Sequence, residues 1–198
     1  MRKPIFWVAI TVIAIFIVNA CNNLPAAQTG TTTVPAPTKE DLVKKGEHLV
    51  ATLDCEICHS PKKMGPQGPE LIPEKRFGGH QNGTQLPPTD EKMLKSGWVL
   101  FAPDFTSFIG PWGQSYAGNI SSDSTGIGMW TLEQFKKVIR EGKFKGLDNT
   151  RPILPPMPWP AYKNLYDDDL EAIFAFLKST TPVHNVVPQA KINPPPKM

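Results

Sequence analysis

The stretch Thr52–Lys62, TLDCEICHSPK, holds two of the three cysteines and one of the four histidines of this 198-residue chain. Two residues separate Cys55 from Cys58, and His59 follows directly. Thiols and an imidazole at this spacing hold a metal or a cofactor, or the thiols pair as a disulfide. The use of these three side chains therefore decides what the rest of the chain has to fold around.

The order Cys-x-x-Cys-His is the attachment signature of a c-type haem. Two thiols at this spacing reach the two vinyl groups on one edge of a porphyrin and form thioethers, and the next residue is placed to donate an imidazole nitrogen to iron. We therefore predict one covalent haem c, attached through Cys55 and Cys58, with His59 as the proximal iron ligand.

Three other uses of the motif compete with haem. A structural zinc site needs four ligands, and the remaining soft candidates are His48, His80 and His184. A thioredoxin-like dithiol is expected near a βαβ pattern, which the sequence does not show. A plain disulfide fits an oxidising compartment but leaves the adjacent histidine unexplained.

The second axial position on iron is predicted to be filled by Met157. Electron-transfer cytochromes commonly use His and Met, and Met157 stands in 151–162, RPILPPMPWPAY, where the prolines stiffen the backbone. A stiff loop can hold a weak neutral ligand. His80 is the competing ligand, because haem with two histidines is also stable, and a packed methionine with no role at iron is the third possibility.

The amino terminus is typical of a secreted protein. Two basic residues precede the apolar run 5–18, which is too short to span a bilayer comfortably, and small Ala20 precedes Cys21. The order Val-Asn-Ala-Cys resembles a bacterial lipobox. We therefore predict a signal peptide over 1–20 and lipid attachment at Cys21, against an uncleaved anchor helix or a free Cys21. The domain would then lie in the cell envelope, facing the periplasm or the cell exterior.

The charge of the chain argues against nucleic acid as a partner. Its formal net charge is +3, and two of the positive charges lie in the predicted signal peptide. The mature protein is therefore nearly neutral, whereas phosphate binding needs a concentrated basic surface.

Hydrophobic periodicity predicts three helices. The first covers 38–54 with Thr38 and Asp41 as a capping pair, and the second covers 132–141 with Thr131 and Gln134 as a capping box. The third covers 168–178, with Asp167 as its N-cap.

The remaining segments are predicted to be irregular. Residues 21–37 form a flexible tether, 38–187 the folded domain and 188–198 a Pro-rich tail. The glycine-rich stretch 60–129 should contain no helix longer than about two turns. An irregular stretch of this length is expected where a chain wraps a large rigid ligand.

Three blocks resemble class I cytochromes c of the bacterial respiratory type, particularly small membrane-attached cytochromes and cytochrome subunits of periplasmic dehydrogenases. They are KKGEHLVATLDCEICHSP at 44–61, YAGNISSDSTGIGMWTLEQFKKVIREG at 116–142 and PPMPWPAYKNLYDDDLEAIFAFLKS at 155–179. The resemblance covers roughly 38–181 and is carried by all three blocks in this order.

The resemblance implies an all-α fold in which the first and last helices cross, with Gly46 letting Phe176 approach closely and a long loop region around the haem. It also implies that Cys55 and Cys58 attach the haem and that His59 and Met157 bind the iron. The expected function is single-electron transfer in a respiratory chain, without catalysis, between a dehydrogenase donor and an oxidase or other acceptor.

The sequence leaves two functional alternatives open. A haem protein with an open or displaceable iron position would be an enzyme or a gas sensor, and a cytochrome can be a fixed dehydrogenase subunit as well as a free carrier.

Segment 96–112 is predicted to be pocket wall, with a partner surface as the alternative. Asn119 and Arg151 are candidates for binding haem propionates. A weak docking surface, or merely a solvated face, is predicted for Lys62, Lys63, Lys136, Lys137 and Lys143.

Overall fold

Two helices from opposite ends of the domain pack on each other in the computed structural model, which describes residues 35–193. Helix α1 covers Lys39–Thr52. The Thr38 side chain accepts a hydrogen bond from the backbone N–H of Asp41, and the Asp41 carboxylate accepts one from the backbone N–H of Thr38. This reciprocal pair satisfies N–H groups that have no partner within the helix, and it confirms the predicted start of the helix.

The last long helix starts one residue earlier than predicted. It covers Asp167–Ser179 and is the sixth α-helix of the described part. Its cap residue is Tyr166, so the prediction of Asp167 as N-cap is wrong. The Asp167 carboxylate instead binds the side chains of Arg140 and Lys136. Two cations on a neighbouring helix thus take the carboxylate that the sequence assigns to the cap.

The contact between these two helices depends on Gly46. An added Cβ atom at Gly46 would lie 1.9 Å from the carbonyl oxygen of Ala172 and 2.7 Å from Cβ of Phe176. Only a residue without a side chain permits this separation of the two backbones. The predicted close approach of Gly46 and Phe176 is confirmed.

The middle helix begins and ends where its sequence signals lie. It covers Leu132–Glu141, with the Thr131 hydroxyl accepting from the N–H of Gln134 at 3.1 Å, and it ends at Gly142 in the left-handed conformation. The second half of the predicted capping box is wrong, because the Gln134 side chain donates to the Lys145 carbonyl instead. Phe135 and Ile139 are buried on its inner face.

The expectation of an all-α fold is wrong, because the described residues also form two antiparallel sheets. The two-stranded sheet pairs β1 (Lys62–Gly65) with β2 (Gly68–Leu71). The four-stranded sheet has the order β3-β4-β5-β6, with β3 at Leu100–Phe101, β4 at Ser107–Gly110, β5 at Gly113–Tyr116 and β6 at Lys191–Ile192. Backbone too rich in glycine and proline for helix still has to pair its N–H and C=O groups, and these short ladders do so.

Three short α-helices and two 3₁₀ helices, Pro73–Lys75 and Phe144–Gly146, complete the helical structure of residues 35–193. The short α-helices are α2 (Cys55–His59), α3 (Glu91–Lys95) and α5 (Trp159–Tyr162), so the 132–141 helix is α4 and the 167–179 helix is α6. Between residues 60 and 129, α3 is the longest helix of the described structure, as the glycine content predicts. Strand β6 lies within the segment predicted to be a Pro-rich tail and pairs with β5.

One hydrophobic core joins the three long helices and the segment after α2. Tyr162, Trp130, Cys55 and Met157 are among the partly buried residues packed against it. Its buried members are Val50, Phe77, Ile127, Phe135, Ile139, Leu170, Ile173, Phe176 and Leu177. Over residues 35–193, no helix has the length and apolar character that crossing a membrane requires. The predicted signal peptide and Cys21 lie outside the described residues.

Candidate functional site

Helix α2 consists of the five residues Cys55–His59 and follows α1 almost directly. Between them, Asp54 takes the left-handed conformation with φ 54°, which turns the chain so that α2 starts in a new direction. Cys55 and Cys58 are both partly buried and are not joined to each other by a disulfide. Residues three apart lie on one side of a helix, so the two thiols share a side of α2.

The electrostatic setting of the two thiols does not favour a redox dithiol. Burial raises the pKa of Cys55 to about 11, and burial also raises the pKa of Cys58. Both groups are therefore neutral thiols at neutral pH, whereas thioredoxin-like cysteines have lowered pKa values. Within the part of the chain that the structure describes, no group of three or more His, Cys, Asp or Glu is arranged to hold a metal ion.

The imidazole of His59 is oriented by a backbone carbonyl. Its Nδ1 lies 2.7 Å from the carbonyl oxygen of Gly118, and because a carbonyl can only accept, Nδ1 carries the proton. Nε2 is then the basic nitrogen. Burial lowers the pKa of His59, with a smaller opposing contribution from the Gly118 bond, which favours the neutral imidazole that binds metals. An N–H to carbonyl bond that fixes the ring and its tautomer is the usual support of a metal-binding histidine. These residues fit a haem iron ligand.

Gly118 is the residue of this site that the sequence does not single out. It acts through its carbonyl oxygen, a group that every residue has, so no residue type marks it. The only sequence signal is its position in the second of the three blocks described above. The backbone of α2 is tied to the same region, because the N–H of Gly79 donates to the His59 carbonyl at 2.8 Å and the N–H of His80 donates to Ala117 at 3.0 Å.

His80, the competing ligand, is only 2% exposed and lies in a polar chain of its own. Its Nδ1 is 2.7 Å from the Thr106 hydroxyl, which in turn donates to the Asp104 carboxylate at 2.7 Å. The ring stacks on Tyr116 with 4.7 Å between centroids. Burial lowers the pKa of His80, against the effect of Asp104. These contacts hold the ring firmly in the region of β4 and β5.

Met157 lies in a loop that is tied down on both sides. The Ser115 hydroxyl in β5 donates to the Pro155 carbonyl at 2.6 Å, and the Tyr162 hydroxyl donates to the Leu53 carbonyl at 2.7 Å. The second bond reaches Leu53, the C-cap of α1, two residues before Cys55. Met157 itself is partly buried and packs against the same core as Cys55. The structure therefore anchors the Met157 loop to β5 at one end and to the C-terminal end of α1 at the other.

The two candidates for propionate binding, Asn119 and Arg151, differ in how many of their polar atoms already have hydrogen-bond partners. The buried Asn119 amide donates to Thr125 and to the carbonyls of Val183 and Asn185. Its oxygen accepts two further bonds from Ser121. Arg151, in contrast, stacks on Phe144 at 3.9 Å and donates to its neighbour's carbonyl, and no carboxylate pairs with it among residues 35–193.

The lysines predicted to form a docking surface are mostly neutralised. Lys136 pairs with Asp167 and Lys137 with Asp148, while Lys143 pairs with both Asp148 and Glu141. Lys63 lies 3.9 Å from Glu70. Exposed pairs of this kind contribute little to stability, but each cancels a charge that docking would need.

Segment 96–112 divides into an exposed part and a buried part. Trp98 is 60% exposed and Phe101 is 50% exposed, whereas Phe108 is 3% exposed. The prediction that this segment is a pocket wall applies at most to its second half. Its first half places large apolar side chains on the surface.

The chain is similar to cytochrome subunits of several dehydrogenases. It is 30% identical over 153 residues to the gluconate 2-dehydrogenase cytochrome c subunit of Pantoea cypripedii, covering 77% of this chain and 25% of that protein. It is 30% identical over 158 residues to the alcohol dehydrogenase (quinone) cytochrome c subunit of Gluconobacter oxydans strain 621H, covering 79% and 24%. It is 27% identical over 177 residues to the fructose dehydrogenase cytochrome subunit of Gluconobacter japonicus, covering 88% and 28%.

The chain thus spans about a quarter of the length of these curated relatives. No family model matches it. The three blocks that carry the resemblance to cytochromes c lie between residues 44 and 179, a stretch similar in length to the matched regions. The similarities support a cytochrome c family for this chain.

Proposed function

We propose that this protein is a monohaem c-type cytochrome that transfers single electrons, with haem c attached to Cys55 and Cys58 and iron bound by His59 and Met157. One observation carries the proposal. Nδ1 of His59 donates to the Gly118 carbonyl at 2.7 Å, and His59 directly follows a Cys-x-x-Cys pair that forms no disulfide. When bound, haem c supplies one-electron chemistry at its iron.

The residues of the site have separate tasks in this proposal. Cys55 and Cys58 hold the cofactor covalently, so it stays in place through many redox cycles. The Gly118 carbonyl keeps the His59 ring in one tautomer, and burial keeps that ring neutral. The bonds at Pro155 and Tyr162 limit the movement of the Met157 loop. A site whose ligands stay in position when the charge changes favours electron transfer over substrate binding.

The proposed partners are redox proteins. The similar proteins are named as cytochrome subunits of dehydrogenases, and we therefore propose a dehydrogenase as electron donor and an oxidase or another carrier as acceptor. The chain itself is then a carrier or a subunit of an oxidoreductase, and substrate oxidation takes place on the donor.

The Met157→Ala variant tests the second axial ligand. We expect the ferrous variant to bind carbon monoxide, because the position is opened, and its reduction potential to fall, because a thioether ligand raises the potential. The parent protein should not bind carbon monoxide readily. Optical spectra of the reduced protein with and without the gas provide the measurement.

The matched control for this test is Met129→Ala, because Met129 is 79% exposed and should leave the spectrum unchanged. A parent protein that binds carbon monoxide readily, together with an unchanged spectrum in Met157→Ala, would favour the alternative of an enzyme or gas sensor with an open iron position. An unchanged spectrum without gas binding would favour His80 as the ligand, which His80→Ala would then test.

A lipid anchor at Cys21 is the second part of the proposal. With the signal peptide 1–20 removed, the tether 21–37 would let the domain move between donor and acceptor near the membrane and raise their effective concentration. Cys21→Ser should therefore move the protein from the membrane fraction to the soluble fraction, and mass spectrometry should show the loss of the acyl chains. Asn23→Ser is the control. Retention of Cys21→Ser in the membrane fraction would indicate an uncleaved anchor helix instead.

A further inference from the structure

We propose that Lys62 is a positioning residue for the haem-attachment helix α2 and that its fixed positive charge favours the reduced form of the cofactor. This role deepens the proposed function and depends on it. Lys62 is the one member of the predicted lysine set that has no ion pair within 35–193, and it is also the nearest of them to the motif in sequence.

The geometry at Lys62 differs from that of an ordinary surface lysine. Its Nζ donates to the carbonyl oxygens of Ile57 at 2.5 Å and Ser60 at 2.7 Å, with Glu56 at 3.5 Å. These carbonyls lie toward the C-terminal end of α2 and at its C-cap Ser60, where the last helical carbonyls lack partners and a cation is favourable. The Glu56 carbonyl also accepts from the N–H of Ser60. Three acceptors around one nitrogen match the three donors of an ammonium group. Lys62 therefore caps the C-terminal end of α2 and places a positive charge at that end.

Within residues 35–193 no carboxylate forms an ion pair with Lys62, whereas the next residue, Lys63, pairs with Glu70. Lys62 is partly buried, whereas the Lys63 side chain is 67% exposed. Burial lowers the pKa of Lys62, and the opposing effects come from Asp104, the Cys58 thiol, Glu56 and Asp54. In the described part of the chain, none of these carboxylates lies within ion-pair distance of Lys62. Because Lys62 is partly shielded from water, its field is screened less than that of an exposed lysine.

A positive charge at the end of α2 opposes the addition of further positive charge nearby. Oxidation of the cofactor iron adds one positive charge, so the Lys62 ammonium stabilises the reduced state relative to the oxidised state. The same hydrogen bonds hold the last turn of α2, which carries Cys58 and His59. The electrostatic and structural roles must therefore be separated experimentally.

Three variants of the full-length protein separate them. Lys62→Gln keeps a hydrogen-bond donor and removes the charge, Lys62→Arg keeps both, and Lys63→Gln is the matched control. We expect Lys62→Gln to shift the redox equilibrium about tenfold toward the oxidised form, which is about 59 mV for one electron. Lys62→Arg and Lys63→Gln should stay near the parent value. Optical redox titration and thermal unfolding are measured on the same samples.

The Lys62→His variant provides a second test of the charge effect in case Lys62→Gln folds poorly. In Lys62→His the charge can be removed within a single molecule by raising the pH through the histidine range. We expect its potential to fall over that range more steeply than the parent's. Parent-like potentials in Lys62→Gln, or equal pH dependence in Lys62→His and the parent, would overturn the electrostatic role and leave the proposed function intact. Absence of covalent haem from the parent would overturn the proposed function itself.

Discussion

A Gly46→Ala variant is expected to lose about 2 kcal/mol in its free energy of unfolding relative to the parent. The new Cβ atom would stand 1.9 Å from the Ala172 carbonyl oxygen and 2.7 Å from Cβ of Phe176, so α1 and α6 must separate. Overpacking of this kind costs about 1–3 kcal/mol, and the clash with backbone puts it at the upper end. Alanine returns only about 1 kcal/mol through its better helix propensity.

Chemical and thermal denaturation followed by circular dichroism would measure this loss. Glu47→Ala is the matched control, since Glu47 is the next residue of α1 and is exposed. It should change stability little. Gly46→Leu should be more damaging than Gly46→Ala, because a larger side chain requires a wider separation of the helices. Equal stability of the Gly46→Ala and Glu47→Ala variants would contradict the packing described between α1 and α6.

The three long helices were predictable because each has a local signal and a buried stripe. Helix α4 is capped by Thr131 and Gly142, and both residue types mark helix ends by their own conformational preferences. The error at Asp167 shows the limit of such signals. Whether an acidic residue caps its own helix or binds Arg140 and Lys136 depends on tertiary contacts, which a local pattern does not contain.

The strands could not be predicted from periodicity, since they are two to four residues long and too short to display alternation. One local signal does exist. Residues 65–68 read GPQG and residues 110–113 read GPWG, and in both cases the two glycines pair across a hairpin. Pro and Gly at these spacings are turn residues. The place of β6 beside β5 joins residues far apart in sequence, and no local pattern indicates it.

The candidate site was predictable to the extent that side-chain chemistry marks it. Cys55, Cys58 and His59 form a recognisable motif, and Met157 is marked by its prolines. The groups that orient the site are different in kind. The Gly118 carbonyl, the Ser115 hydroxyl and the Leu53 carbonyl act through contacts between distant segments, so their roles emerge only from the fold.

The double variant Cys55→Ser/Cys58→Ser is expected to lose all covalently bound haem, because both thioether positions are removed. Each single variant should keep haem on one thioether at reduced yield. Haem staining of denatured protein on gels and the mass of the intact chain measure covalent attachment directly. The matched control is Cys21→Ser, which removes the third cysteine of the chain and should keep the full haem mass.

This experiment also distinguishes the competing uses of the motif. In the structure the two thiols are unpaired, and burial raises the pKa of Cys55 to about 11, so neither a disulfide nor a reactive thiolate is favoured. A parent protein without haem, whose mass matches a Cys55–Cys58 disulfide, would contradict the haem proposal and leave His59 as an incidental neighbour. A parent with one haem mass that disappears only when both cysteines are replaced would tie the cofactor to these two residues. In such a protein His59, whose ring the Gly118 carbonyl orients, would be the iron ligand, and this role would explain why the motif ends in histidine.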